Sequence, residues 1–218
     1  MRVLTWNLFH GRSVEPRHSP LENEFTAALA SWAWDVALLQ EVPPWWPGRL
    51  GPALGASVRM ARTSRNWLPP VRWLARVDPD VAKSWGGGSN AILVRGEGIA
   101  EHRVHVLRRL PERRVMHAVR LASGTWIANI HAQVRPQLLA RSDIASAANA
   151  LHAWAGAEAP LVLGGDFNVV NPAVAGMRDA GGSGVDHGLV RGFEPAGRTI
   201  PDRHGLSDHA PVIVELRP

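Results

Sequence analysis

Residues 161–168 read LVLGGDFN, an apolar run that stops at two glycines and is followed by an aspartate and an asparagine. This is the most apolar predicted strand of the chain, and polar side chains that follow such strands gather at one edge of a layered β fold. Gly, Asp and Asn also form ordinary turns, so this stretch alone does not define a site. The arrangement recurs at four other strand ends: Trp6-Asn7, Gln40-Glu41, Asn129-Ile130-His131 and Ser207-Asp208-His209.

Two long helices are predicted around these motifs. Helical spacing of apolar residues indicates one helix over residues 21–34. Pro136 suits the first turn of a second helix that runs to about residue 154. Many prolines interrupt residues 42–88, where we predict one short helix near 46–54 and otherwise irregular structure.

The remaining segments read as strands separated by turns. Turn residues at 96–98, 111–112 and 123–124 suggest antiparallel hairpins. This order of elements favours an α+β or mixed α/β fold in one domain, with sheets inside and helices outside. The predicted strands cover residues 1–6, 35–41, 90–95, 103–107, 114–121, 125–130, 160–165, 187–190 and 212–216.

The composition limits the class of protein. The chain has 218 residues, of which 45% are hydrophobic and 20% charged, and this excludes disorder as the main state. The absence of cysteine excludes disulfides, thiol nucleophiles and zinc–thiolate sites. No apolar run approaches the roughly 18 residues of a membrane-spanning helix, and the N-terminus reads as a strand and not as a secretory signal. We therefore expect a cytoplasmic protein without a transmembrane segment.

The charge balance leaves two explanations open. The formal net charge is +5, from 24 Lys and Arg against 19 Asp and Glu, and every basic residue except Lys83 is arginine. This excess suits a polyanionic partner, but the codons of a genome rich in G and C also favour arginine. Tryptophans from Trp45 to Trp85, including Trp67, alternate with arginines, and they could either stack on bases or cover the core.

The five polar strand ends carry side chains of the types that bind hard cations. Oxygens of Glu, Asp and Asn are the ligands that hard cations such as Mg²⁺ and Mn²⁺ prefer. Histidines beside such oxygens supply proton transfer or stabilise charge. Three other histidines near the motifs, His10, His187 and His204, are expected to be bystanders.

Together these motifs resemble the endonuclease/exonuclease/phosphatase superfamily, which has the deoxyribonuclease I-like fold. The five motifs stand in the order of that family and span nearly the whole chain. The resemblance implies a four-layer α/β/β/α sandwich, in which two mixed, mainly antiparallel sheets are flanked by helices. It also implies that residues 1–218 form a single catalytic domain.

The resemblance implies catalytic roles for five residues. Asp166 and Asn168 match the pair that orients the attacking water and contacts phosphate oxygens. His209 matches the histidine that contacts the phosphate, and Asp186 the aspartate that orients this histidine. His131 resembles a histidine that protonates the leaving group.

It also implies a metal site and one substrate contact. Glu41 matches the metal-binding glutamate, with Asn7 and Asp208 beside the metal. Asn90 resembles an asparagine on the substrate side. The acid that supports the equivalent of His131 in deoxyribonuclease I is not evident near Asn90, and the chain has no tyrosine to contact phosphate.

The function implied is hydrolysis of a phosphoester with Mg²⁺ or Mn²⁺ as cofactor, first of all a phosphodiester in nucleic acid. A phosphoinositide, a sphingomyelin-like phospholipid or a small phosphoester are alternatives, because the superfamily includes such enzymes. A catalytically dead binding module is the alternative outside the enzyme class, and the complete residue set argues against it. We expect the protein to be a monomer.

Overall fold

A computed structural model describes residues 1–66 and 69–218, so Trp67 in the arginine-rich stretch, with Leu68, lies outside the described residues. The described part of the chain contains twelve strands and five α-helices. In chain order they are β1 (Arg2–Asn7), α1 (Glu22–Ser31), β2 (Val36–Val42), α2 (Pro47–Ala53), β3 (Ser57–Arg62), α3 (Pro69–Val77), α4 (Pro79–Ala82), β4 (Ser89–Val94), β5 (Ile99–Arg108), β6 (Arg114–Leu121), β7 (Trp126–His131), α5 (Gln137–Ala155), β8 (Leu161–Asp166), β9 (Arg178–Ser183), β10 (Asp186–Arg191), β11 (Glu194–Thr199) and β12 (Val212–Arg217).

The strands form two six-stranded sheets, in the orders β11-β12-β1-β2-β4-β3 and β5-β6-β7-β8-β10-β9. Near the centre of each sheet one pair is parallel, β1 with β2 and β7 with β8, and the other pairs are antiparallel. Parallel neighbours end at the same edge of a sheet. Asn7 therefore lies beside Gln40 in the first sheet, and His131 beside Asp166 in the second.

Alternating side chains build a core on both faces of each sheet. Aliphatic side chains such as Leu38 and Val162 fill the space between the sheets. On the outer face of the first sheet, Trp6 packs at a ring-centroid distance of 5.0 Å from Phe25 of α1. On the outer face of the second sheet, Leu163 belongs to the same buried cluster as Ile144 of α5. The predicted four-layer α/β/β/α sandwich is confirmed.

Three strands that the sequence analysis does not predict lie at sheet edges. β3, β9 and β11 are edge strands, and their sequences SVRMAR, RDAGGS and EPAGRT contain few apolar residues. Only β3 alternates, and only over Val58 and Met60. An edge strand is held by backbone hydrogen bonds on one side, and its side chains need not be buried. The region 42–88 is also more regular than predicted, because it holds β3, α3 and α4 in addition to α2.

One of the three predicted hairpins is wrong. The turns at 111–112 and 123–124 join antiparallel neighbours, β5 with β6 and β6 with β7. The turn at 96–98 instead connects β4 of the first sheet to β5 of the second. A turn sequence predicts only that the chain reverses its direction. It does not show whether the next strand pairs with the preceding strand or joins the other sheet.

Candidate active site

The five polar strand ends meet at one edge of the sandwich, where the backbone takes unusual conformations. Glu41, Asn168 and Ser207 have φ of 50°, 50° and 57°, in the left-handed region that few residues adopt. At Gly165, with φ 140°, an added Cβ would lie 2.0 Å from the carbonyl oxygen of Ile130. Only glycine therefore lets β8 lie this close to β7 immediately before Asp166.

Asp166 lies at the centre of the site. Nδ2 of Asn7 donates to its Oδ2 at 3.0 Å, and the backbone N–H of Asn168 donates to its Oδ1 at 3.0 Å. Burial raises the pKa of Asp166, and the charge of Asp186 raises it further, against the charge of His209 and the two hydrogen bonds. A buried carboxyl with a raised pKa is suited to accept a proton near neutral pH.

The structure places Asn7 beside Asp166, and its position at the metal stays a prediction. Its Oδ1 accepts the backbone N–H of Phe9 at 2.9 Å, and its Nδ2 faces Asp166. Both ends of the amide are therefore engaged within the protein, and Asn7 fixes the position of Asp166.

His209 forms a hydrogen-bonded pair with Asp186. Its Nδ1 lies 2.7 Å from Oδ2 of Asp186, and its Nε2 lies 3.9 Å from Oδ2 of Asp166. Burial opposes the charged ring, but the hydrogen bond and charge of Asp186, with the charges of Asp166 and Asp208, outweigh it and raise the pKa of His209 to about 9. His209 is thus a cation at neutral pH, with Nε2 directed into the site.

His131 is held as a neutral ring. Its Nε2 lies 2.8 Å from a terminal nitrogen of Arg114, and 3.5 Å from Oδ2 of Asp166. Burial lowers the pKa of His131 well below its usual range, and the charge of Arg114 adds to this. Because arginine can only donate, Nε2 of His131 accepts in this contact, and the role of His131 as a proton donor to the leaving group stays a prediction.

Glu41 and Asp208 are the accessible carboxylates of the site. Their side chains are 21% and 49% exposed, whereas that of Asp166 is 2% exposed. Oε1 of Glu41 lies 3.9 Å from Nε2 of His131, and Oδ1 of Asp208 lies 4.0 Å from Nε2 of His209. A series of contacts of at most 4.0 Å therefore joins the predicted residues in the order Glu41, His131, Asp166, His209 and Asp208.

These side chains fit a hard divalent cation. Glu41 and Asp208 offer carboxylate oxygens that still have access to solvent, as Mg²⁺ and Mn²⁺ require. Potential ligand atoms of Asp166, Asp186 and His209 also lie within 4.8 Å of one another. In that second group Asp166 and Asp186 are buried, and His209 is hydrogen-bonded to Asp186. Glu41 and Asp208 are the carboxylates of the site that have access to solvent.

Asn90 is the predicted site residue that the structure does not bring into these contacts. Its side chain is fully buried, and its Nδ2 donates to the backbone oxygen of Val115 at 3.2 Å. This hydrogen bond joins β4 of one sheet to β6 of the other. Asn90 therefore connects the two sheets, and its contact with substrate stays a prediction.

The sequence analysis missed three basic residues at the site. Arg114 contacts His131, and Nε2 of His10 lies 3.1 Å from Oε2 of Glu41. Burial lowers the pKa of Arg12, and the negative charges of Asp80, Glu41 and Asp208 act in the opposite direction. The guanidinium of Arg12 is therefore close enough to Glu41 and Asp208 to feel their charges. Strand pairing provides a signal for Arg114, because β6 runs antiparallel to β7 and begins at the edge where β7 ends.

Comparison with known proteins identifies the family. The model of the Endonuclease/Exonuclease/phosphatase family matches residues 4–209. The chain therefore belongs to this family of phosphoester hydrolases, which generally depend on divalent metal ions, and the predicted resemblance is confirmed. No curated protein sequence matches the chain significantly.

Solved structures share the fold at low sequence identity. An endonuclease/exonuclease/phosphatase from Beutenbergia cavernae is 20% identical with a TM-score of 0.75, over 100% of this chain and 71% of that one. Truncated TDP2 from Caenorhabditis elegans is 15% identical with a TM-score of 0.71, over 99% and 96% of the two chains. A mannosyl-6-phosphatase from Bacteroides thetaiotaomicron is 16% identical with a TM-score of 0.71, over 100% and 99%. In the described part of the present chain, no helix is long and apolar enough to cross a membrane.

Proposed function

We propose that residues 1–218 act as one catalytic domain, a divalent-metal-dependent phosphoester hydrolase whose substrate is a phosphodiester in nucleic acid. The observation that carries the proposal is the unbroken series of contacts, none longer than 4.0 Å, from Glu41 to Asp208 through the site. All these side chains come from one chain, so a monomer is sufficient. A binding module without catalysis would not need this arrangement of acids and bases.

The metal ion would be held by Glu41 and Asp208. When bound, Mg²⁺ or Mn²⁺ supplies a Lewis acid that neutralises the negative charge of the phosphoester. The protein contributes the two carboxylates in accessible positions. It keeps Glu41 near His131 and Asp208 near His209.

Asp166 acts as the base toward the attacking water. Its burial and raised pKa favour proton uptake, and the hydrogen bonds from Asn7 and Asn168 fix its orientation. One N–H of the Asn168 side chain donates to the backbone oxygen of Ala132 at 3.0 Å. The amide has a second N–H, which is available for a phosphate oxygen.

His209 stabilises the negative charge that develops on the phosphate oxygens. Asp186 holds its Nδ1, so Nε2 carries a proton toward the site. A preorganised donor of this kind contributes about 3–4 kcal/mol to the transition state.

Arg114, which is ion-paired with Glu112 at 2.7 Å, supplies a guanidinium beside His131. Burial, with the charge of Arg114, lowers the pKa of His131 and keeps the ring neutral. The contact with Arg114 fixes the ring, and the guanidinium is 7% exposed. We therefore assign the stabilisation of the leaving oxygen to the Arg114–His131 pair instead of to a protonated His131.

The surface beside the site favours a polyanionic substrate. A cavity of about 200 Å³ lined by Glu41 and His131 adjoins one of about 440 Å³, and both include Arg113 and the Arg65–Glu112 ion pair in their lining. Arg114 lines the first cavity and Arg109 the second. Consecutive phosphates of a nucleic acid strand would find arginines along this path, whereas a small ester would occupy the first cavity alone.

A substrate panel tests the proposal. We expect hydrolysis of DNA or RNA oligonucleotides with Mg²⁺ or Mn²⁺, and loss of turnover with EDTA that added metal restores. Arg109→Ala should weaken oligonucleotide binding and lower its salt dependence by about one unit of slope, while hydrolysis of a small phosphodiester stays unchanged. Turnover that persists in EDTA would contradict the metal-dependent chemistry, and turnover confined to phosphoinositide or sphingomyelin vesicles would contradict the nucleic acid assignment.

A phosphomonoesterase is the second candidate. It is favoured by the structural likeness to a mannosyl-6-phosphatase. Sugar phosphates belong in the same panel, and hydrolysis of these without cleavage of oligonucleotides would support this candidate over the first.

A further inference from the structure

His10, which the sequence analysis treats as a bystander, lies against the proposed metal carboxylate. Its Nε2 is 3.1 Å from Oε2 of Glu41. The two side chains are 14% and 21% exposed, so the contact is mostly shielded from solvent. His10 and Glu41 also line the same cavity of about 200 Å³, together with His131.

The backbone holds His10 in this position. Phe9, His10 and Gly11 have φ of 50°, 55° and 78°, three consecutive left-handed residues that follow β1 after Leu8. The N–H of Leu8 donates to the backbone oxygen of Gln40 at 2.8 Å, which ties this turn to β2 next to Glu41. An added Cβ on Gly11 would lie 2.7 Å from the ring of Trp46, so the turn is also packed closely from outside.

The two nitrogens of His10 have different surroundings. Nδ1 is buried and has no hydrogen-bond partner among residues 1–66 and 69–218. A proton on Nδ1 would be a buried donor without an acceptor, whereas a proton on Nε2 faces a carboxylate oxygen. The neutral ring therefore carries its proton on Nε2, directed toward Oε2 of Glu41.

We propose that His10 is a positioning residue that orients the Glu41 carboxylate for a divalent cation. It restrains Oε2 and leaves Oε1, which lies 3.9 Å from Nε2 of His131, on the side of the catalytic residues. This inference rests on the proposed function, in which Glu41 binds the metal. Partners that orient a metal-binding side chain in this way typically change metal affinity about 10- to 100-fold when they are removed.

Two variants that differ by one methylene test the proposal. Asn tolerates the left-handed backbone at position 10, but its amide nitrogen is one bond closer to Cα than Nε2 of histidine and falls short of Glu41. The amide nitrogen of Gln is as many bonds from Cα as Nε2 and reaches it. The control is His204→Asn, because His204 has nearly the same φ, 54°, and a carboxylate partner in Asp202, but lies outside the site.

The readout is Mn²⁺ binding to the folded protein, followed by electron paramagnetic resonance, with circular dichroism to verify the fold. We expect His10→Asn to weaken Mn²⁺ binding about 10- to 100-fold, His10→Gln to restore it to within a few-fold of wild type, and His204→Asn to leave it unchanged. Equal Mn²⁺ affinity in His10→Asn and wild type would overturn the proposal. Electron spin echo modulation from a directly coordinated histidine nitrogen that disappears in His10→Asn would also overturn it, because His10 would then be a ligand.

Glu41→Gln separates this inference from the proposed function. If Glu41→Gln binds Mn²⁺ as tightly as wild type, the metal assignment of Glu41 fails, and the role of His10 fails with it. If Glu41→Gln loses binding but His10→Asn does not, only the inference about His10 fails.

Discussion

Among single residues, the same functional group takes different roles because its surroundings differ. Asp166 is buried and receives two N–H groups, and burial raises its pKa. Asp208 is 49% exposed and makes a contact of 4.0 Å with His209. Under the proposed function, the buried carboxylate exchanges a proton and the exposed one faces the metal.

Replacement of Asp166 by Asn tests the proposed base. Asp166→Asn keeps the shape of the side chain but removes proton uptake, so we expect the rate of phosphodiester hydrolysis to fall about 10²- to 10⁴-fold. Thermal unfolding should show an intact fold, because no buried charge is left without a partner. The matched control is Asp202→Asn at an exposed position, and a wild-type rate in Asp166→Asn would rule out the assignment.

The Asp186–His209 pair gives a prediction for pH. In Asp186→Asn, we expect the pKa of His209 to fall from about 9 toward the ordinary value of 6.5 or below, since burial then acts with less opposition. The folded pKa of His209 in the wild type lies above the unfolded value. The stabilisation from this ring is thus fully present below pH 6.5 and is lost as the pH rises through about 9.

Histidine ring resonances measured by NMR over pH 5 to about 10 would report this pKa directly. Urea unfolding at pH 6 and about 9.5 would show whether the wild type loses more stability than Asp186→Asn over that range. An unchanged pKa of His209 in the variant would show that Asp186 does not set its charge.

Among the secondary structure elements, the two parallel strand pairs determine where the site lies, because both strands of a parallel pair end at the same edge of the sheet. The last residues of the parallel pairs β1–β2 and β7–β8 lie at one edge of the sandwich. At this edge β2 has a bulge at Glu41, whose φ is 50°. The approach of β8 to β7 depends on Gly165, which carries no side chain where the Ile130 carbonyl lies.

Gly165→Ala tests this junction. The added methyl group meets the Ile130 carbonyl oxygen and the backbone has φ 140°, so strain and overlap together should lower the free energy of unfolding by roughly 3 kcal/mol or more. Gly124→Ala is the control, because Gly124 also has positive φ, 92°, but an added Cβ has no heavy atom within 4 Å. Urea unfolding of both variants measures the difference, and equal losses would mean that the close approach is unimportant.

The predictability of each element depends on how much apolar surface it buries. The LVLGGD sequence of β8 buries every side chain, so its apolar run is visible in the sequence. In β11, five of six residues are exposed, so the sequence gives no apolar signal. The positions of the motif residues follow from strand ends, but the Arg114–His131 and His10–Glu41 contacts depend on how strands pair across the sheet, which local sequence does not encode.

At the level of the whole molecule, buried amide groups join the two sheets near the site. Nε2 of Gln40 donates to Oδ1 of Asn129 at 2.8 Å, and Nδ2 of Asn129 donates to the backbone oxygens of Leu39 and Ala91 at 2.9 Å each. These hydrogen bonds fix the offset of one sheet relative to the other. The distance between Glu41 on one sheet and His131 on the other depends on this offset.

His117, fully buried on β6, makes the stability of this packing dependent on pH. Burial lowers the pKa of His117 to about 3, and the charge of His102 adds to this effect. Below pH 6.5 the unfolded chain takes up a proton that the folded protein excludes, so the free energy of unfolding should fall as the pH drops toward about 3, by up to about 1.4 kcal/mol per unit.

Urea unfolding between pH 4 and about 8 measures how the free energy of unfolding depends on pH. The difference in this dependence between wild type and His117→Gln gives the contribution of His117 alone, because the other titrating groups are the same in both proteins. We expect the variant to lose less stability on acidification. His204→Gln, at an exposed position, is the control. Identical slopes for wild type and His117→Gln would show that His117 becomes protonated without cost.

The joining of both sheets at one edge has a kinetic consequence. Asn7 and Asp166 touch across 159 positions of the chain, and Ser207 donates to the backbone oxygen of Asn7 across 200. Such distant contacts close late and slowly when a chain folds. Under the proposed function, recovery of turnover after dilution from denaturant should therefore lag behind recovery of tryptophan fluorescence. The delay between the two signals would measure the time that the site needs to form after the sheets have packed.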